Sequence, residues 1–270
     1  MPIQVELAVH DLAGIRLAAH LGPDRIELCT GLALGGLTPS AGLVEAAVAE
    51  RERGGPRVHV LIRPRTGGFC YGPDEVALMR SDIARAVAQG VDGVVIGAAR
   101  QDDDGGTRLD LEAIAELRSA AEPARAATGS AGGAAGSAGA AACSVRVALH
   151  RVIDTVSDPV AAVRELHGTG VDLVLTSGGA AKAPEAIGTL RQMAREGGEE
   201  IQIMAGSGVR APVVPQLAAT GIAAVHGSAG RRGPAEVGDV LGASAEAARR
   251  LHTDPEVAAD LIAAARRVRR

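Results

Sequence analysis

Residues 25–29, Arg25-Ile26-Glu27-Leu28-Cys29, alternate polar and apolar side chains. A strand sends successive side chains to opposite faces, so this stretch has two unlike sides. Ile26 and Leu28 suit a packed helical layer, which turns Arg25, Glu27 and Cys29 the other way. The same alternation recurs along the chain. Short β-branched runs lie at 3–9, 58–62, 93–97, 145–149, 172–176, 201–205 and 222–226. Each ends near Gly, Pro or a small polar residue, as buried parallel strands do. Ala/Leu/Arg/Glu-rich segments such as 74–89, 156–167 and 184–195 separate them and read as helices. Eight strands alternating with helices predict an α/β fold, a TIM-like (β/α)8 barrel. A doubly wound open sheet is the alternative, but no Gly-rich dinucleotide fingerprint follows the first run.

In a barrel one parity of each strand faces the axis. That parity selects Glu6, Ala8 and His10; His59, Leu61 and Arg63; His150; Gln202 and Met204; His226 and Ser228, besides Arg25, Glu27 and Cys29. Such an interior must pair its charges internally or with a ligand, because an unpaired buried ion costs several kcal/mol.

Composition narrows the function. The chain has 270 residues, 47% apolar and 22% charged, with net charge −4. It carries no Trp, one Tyr and one Phe. This excludes a basic nucleic-acid footprint and a base-stacking aromatic platform. Three cysteines without close pairing (Cys29, Cys70, Cys143) fit a reducing compartment. No signal-peptide pattern and no membrane-length apolar run are legible, so the expectation is a cytoplasmic protein without membrane contact. The whole of 1–270 reads as one barrel domain. Residues 123–142 form an Ala/Gly/Ser-rich insertion, expected to be disordered, between helix four and strand five. Residues 231–270 supply a long connection, a lid or an oligomer contact, and a last helix capped by Asp254 with Pro255 at its first position.

Barrel active sites lie at the carboxyl ends of the strands. The candidates there are Glu27, His150 and Asp154 as acid/base groups, with Arg63 and Arg151 holding an anion. Gly206, Ser207 and Gly208 after strand seven, and Gly227 and Ser228 after strand eight, have the small residues of a phosphate cradle. The same glycines also serve as tight-turn residues. In Gly35–Ser40, Thr38 or Ser40 caps the second helix. Phe69 and Tyr71, the two aromatics, flank Cys70 in the loop after strand three as a packing plug or a lid.

DRIELC at 24–29, GGLTPS at 35–40, IRPRTGGFCY at 62–71, LHRVID at 149–154, LTSGG at 175–179, MAGSGV at 204–209 and HGSAG at 226–230 together resemble the CutC family. The blocks run in order over about residues 3–230. The resemblance implies a TIM-like barrel, a cytosolic homodimer or higher homo-oligomer, and a link to copper homeostasis. It brings no established reaction. Relatives often carry Glu-Val-Cys-Val on strand one; here Glu6 is followed by Leu7, Ala8 and Val9. Cys29 and Cys70 are then the thiols left for Cu(I), which favours two or more soft ligands close together.

Three functions are open at this point. One is a copper-homeostasis protein binding Cu(I). The second is a lyase- or isomerase-type enzyme acting on a small anionic or phosphorylated metabolite. The third is a catalytically silent barrel acting as a scaffold. A Schiff-base mechanism is disfavoured because the only lysine, Lys182, lies beyond strand six.

Overall fold

The computed structural model describes residues 3–102, 104–122, 145–233 and 251–268. Eight parallel strands close into a barrel. In chain order they are Gln4–Val9, Arg25–Leu28, Arg57–Leu61, Gly93–Ile96, Arg146–Leu149, Leu173–Thr176, Gln202–Ala205 and Ala224–Gly227. Each lies beside its sequence neighbours, and strand one closes the ring against strand eight. Helices α1 (Leu12–Leu21), α2 (Ala41–Glu52), α3 (Pro73–Ala88), α4 (Leu111–Ala120), α5 (Pro159–Glu165), α6 (Ile187–Gly197), α7 (Val214–Ala218) and α8 (Pro255–Arg267) alternate with them.

The interior parity expected from the sequence is the one observed. Val5, Leu7, Ile26, Leu28, Val58, Val60, Val147 and Val225 join the large core between strands and helices. Cys29, Leu61, Val95, Ala148, Leu173, Leu175, Met204 and Ala224 form a separate apolar cluster inside the barrel. Two interior glycines make room for interior rings. A Cβ on Gly93 would lie 2.7 Å from the His59 ring, and one on Gly97 2.5 Å from that of His150.

Local signals set the helix starts. Asp254 caps α8, accepting from the backbone N–H groups of Glu256 and Val257, with Pro255 at the first position. Ser40 caps α2, whereas Thr38 accepts from the backbone of Arg63 and ties two loops together. At the opposite face, three aspartates repeat one device. Asp24, Asp92 and Asp172, each just before an even-numbered strand, accept the N–H of Val5, Val58 and Val147 on the preceding strand, all at 2.8 Å. Each saturates a donor that would otherwise be orphaned at a strand start.

Two short antiparallel hairpins were not legible in the sequence: Ala99–Gln101 with Thr107–Leu109, and Gly230–Arg232 with Leu251–Thr253. The second joins the end of strand eight to the residues before α8. The 123–142 insertion and residues 234–250 of the late connection lie outside the described residues.

Candidate functional site

Strands one, two and eight place a chain of charges inside the barrel. Glu6 is fully buried. Its carboxylate accepts from Arg25 Nε at 2.7 Å and pairs with His226 Nδ1 at 2.7 Å, while His59 Nδ1 stands 3.8 Å away. Register explains the contacts, because Glu6 is the cross-strand neighbour of both Arg25 and His226. Arg25 also donates to Gln4 Oε1 and to Met204 Sδ. The other nitrogen of His226, Nε2, lies 3.8 Å from Glu27 Oε2.

These contacts separate the two carboxylates chemically. Burial pushes Glu6 up, but Arg25, His226 and His59 together outweigh it and hold the group down at about 2. Glu27 has no arginine partner, so burial dominates and lifts it to about 7 despite His226. Burial pushes His226 down, but Glu27 and Glu6 outweigh it and raise the imidazole above its ordinary value. One residue thus stays ionised, one titrates near neutrality, and the histidine between them favours its charged form.

Above this chain lies a cavity of about 250 Å³, lined by Ala8, Leu32, Arg151, Ser207, Gly208, Val209, Arg210, His226, Gly227 and Ser228. It brings together five expected residues: Arg151, Ser207, Gly208, Gly227 and Ser228. Arg210 was missed, although it directly follows the 205–209 loop. Ser207 has a φ of +72° and Gly208 of +68°. None of the hydrogen bonds among the described residues uses the backbone N–H of Ser207, Gly208 or Val209. Successive N–H groups left free in a turn are the kind of backbone that can form an anion-binding concavity. Ala229, at the next loop, also has positive φ. A non-glycine residue held in that region costs on the order of 1–3 kcal/mol and clusters at ligand sites. Gly206 does not line the cavity. A Cβ there would strike Leu175 at 2.5 Å, so packing explains that glycine. Gly208 packs against the stem of Lys182, whose carbons a Cβ would meet at 2.9 Å.

Arg151 and Asp154 are linked. Arg151 donates to Asp154 at 2.8 Å and to Ser177 Oγ at 2.9 Å. Asp154 further accepts from Thr176 Oγ1, Ser177 N and Oγ, and Gly179 N. Its oxygens are committed to fixing Arg151 and the loop after strand six, which is the geometry of a positioning group.

The strands three and five side of the mouth is filled. Arg63 gives its guanidinium to three carbonyls, those of Leu34, Gly36 and Gly67, and stacks 5.1 Å over Phe69. Phe69 in turn lies 4.8 Å from the His150 ring, and its carbonyl accepts from Ala99 N. His150 Nδ1 accepts from Val152 N, which leaves the hydrogen on Nε2. Burial, helped by Arg63, holds His150 down at about 3, so it is neutral. Arg65 is likewise taken up by Glu75 and the carbonyls of Gly68 and Cys70, and stacks on Tyr71.

The two described thiols lie in unlike surroundings. Cys29 is buried in the interior apolar cluster. Burial, reinforced by Glu27, pushes its thiol up, against the thiolate a metal requires. Cys70 is exposed. Among the described residues no group of three or more His, Cys, Asp or Glu is placed to hold a metal ion.

Fold and site together define a (β/α)8 barrel protein whose charged interior opens into a cation-lined cavity at the carboxyl ends of strands one, seven and eight. The sequence comparisons narrow this class. The family model described as CutC matches residues 3–129 and 136–231. A CutC family protein of Sinorhizobium medicae is 38% identical over 86% of this chain and 84% of its own. One of Agrobacterium fabrum is 36% identical over 80% and 75%. The chain belongs to the CutC family. The crystal structure of a candidate copper homeostasis protein CutC from Streptococcus agalactiae superposes with a TM-score of 0.69 at 27% identity, covering 84% of this chain and 98% of that one. A thiamine phosphate pyrophosphorylase from Pyrococcus furiosus shares the fold alone, at 11% identity and a TM-score of 0.55 over 97% of this chain and 95% of that one.

Proposed function

We propose that this barrel binds a small anionic ligand, phosphorylated or carboxylated, in the cavity above strands one, seven and eight, and performs acid/base chemistry of the lyase or isomerase type on it. The observation that carries the reading is that two arginines, Arg151 and Arg210, line one cavity together with Ser207, Gly208 and Val209, whose backbone N–H groups are unused. Preset donors around a small volume are what a phosphate or carboxylate needs. Glu27, poised near neutrality, is the acid/base group within reach of the chain of charges below. Calorimetric titration with inorganic phosphate tests it. Affinity should fall at least tenfold in the double variant Arg151→Ala, Arg210→Ala; equal affinity overturns the reading.

Copper homeostasis is the second reading, and it rests on the description of the Streptococcus agalactiae relative. A competition titration with Cu(I) on wild type, Cys29→Ala and Cys70→Ala decides it: a loss of affinity in either variant supports a copper role, and identical curves remove it. A cytoplasmic homo-oligomer is part of both readings. No helix of the described residues is long and apolar enough to cross a membrane.

A further inference from the structure

We propose that His226, oriented by Glu6, is the group that exchanges a proton with the ligand in this cavity, with Glu27 as its proton partner, and that the ligand carries a proton-accepting oxygen adjacent to its phosphate or carboxylate. The inference rests on the anion reading above and assigns the reacting group within that site.

The geometry comes first. Among the residues of the buried charge chain, His226 is the one whose side chain also lines the cavity. Glu6 takes Nδ1 at 2.7 Å, which fixes the ring plane. Nε2 is thereby left for the opposite side, where Glu27 stands 3.8 Å away. A carboxylate on one imidazole nitrogen that frees the other for chemistry is a recurrent orienting arrangement. Glu6 itself is locked by Arg25, so the orienter does not move with the proton. It is a positioning residue, acting through His226. Met204 Sδ takes another hydrogen of Arg25, which further fixes that guanidinium.

The surroundings agree. Glu6, Glu27 and Arg25 face His226 from strands one and two, while Arg151 and Arg210 share the cavity. Two carboxylates flank the ring and favour its charged form. An imidazolium beside an anion cradle suits a ligand on which negative charge develops at an oxygen, as in enolisation next to a carbonyl. The step balances simply. The Nε2–H bond breaks and its electron pair stays on the ring, while a lone pair on the ligand oxygen takes the proton. Glu27 in its acid form then returns a proton to Nε2 and becomes a carboxylate, which water re-protonates.

The test uses ¹⁵N-labelled full-length protein, with the His226 ring assigned by its loss in His226→Gln. Glu27→Gln leaves the Glu6–Arg25 pair in place and is the main variant. Without ligand, Glu27→Gln should lower the His226 titration midpoint by about one pH unit, since a nearby carboxylate is removed. Saturating wild type with inorganic phosphate should shift the Nε2 resonance and raise that midpoint. Phosphate binding that leaves the His226 ring unmoved overturns the role of His226 while sparing the anion reading. Absence of phosphate binding to wild type overturns the anion reading and the ligand class with it. A His226 midpoint insensitive to Glu27→Gln overturns the partnership between the two residues.

Discussion

The two sides of the barrel mouth both carry arginines, and they use them in opposite ways. On the strand-three side Arg63 and Arg65 are consumed by backbone carbonyls and by Glu75. On the strand-seven and strand-eight side Arg151 and Arg210 border open volume. An arginine at a strand end can serve as an anion site only where its donors are left over. Arg63 and Arg65 stitch loops; Arg151 is steadied by Asp154 and Ser177 at the edge of the cavity, the side the proposed ligand would occupy. The histidines follow the same division: burial holds His150 neutral under Phe69, whereas Glu27 and Glu6 raise His226, beside the cavity, above its ordinary value.

The division can be broken by mutation. Arg63→Ala should cost about 3–5 kcal/mol of stability, because it strands three partly buried carbonyls, each worth about 1–3 kcal/mol when unpaired. Phosphate affinity should stay within about twofold. A denaturant titration beside a phosphate titration checks both; a large affinity loss with unchanged stability would erase the contrast.

Acid should act on two buried, depressed histidines, His150 on the filled side and His59 beside Glu6. His150 and His59 have folded-state values depressed to about 3 and about 4, so the stability they contribute is complete above the ordinary value of 6.5. It is lost as pH falls from 6.5 toward 3, where the unfolded chain binds protons the folded one refuses. His150→Gln should flatten that fall by up to roughly 5 kcal/mol. The opposite slope belongs to the open side. Glu27 is raised from 4.5 to about 7, so the folded state loses stability as pH rises through that window. Glu27→Gln should remove a slope worth about 2–3 kcal/mol across it, read from midpoints of urea unfolding at several pH values. If the wild-type and variant slopes coincide, Glu27 is not held in its acid form by burial.

The smallest stability effect belongs to Arg210→Ala, within about 0.5 kcal/mol, since the side chain is exposed. Its phosphate affinity should nonetheless drop by about tenfold, or about 1.4 kcal/mol. A stability loss larger than the binding loss would make Arg210 a stitching residue like Arg63.

The eight strands and their inward parity were legible because alternation in Arg25–Cys29 and its counterparts is a local signal that the closed barrel reinforces. The positions of the loops after strands seven and eight were legible for the same reason, as Ser207 and Ser228 lie within two residues of a strand end. What the sequence left hidden is long-range. Nothing near Arg63 in the chain announces that carbonyls from residues 34 and 36 will absorb it. Asp154 reads as a spare carboxylate until Thr176, Ser177 and Gly179 arrive from strand six. The two hairpins escaped because three-residue strands carry too little periodicity to register.

Lys182 remains. It is exposed, it is the only lysine in the chain, and its stem rests on Gly208 at the wall of the cavity. An amine-directed fluorophore would therefore have one side-chain target, a few atoms from the loop that lines the cavity. The fold thus comes with a native attachment point for an optical reporter, and screening metabolite libraries by emission change would need no engineered residue.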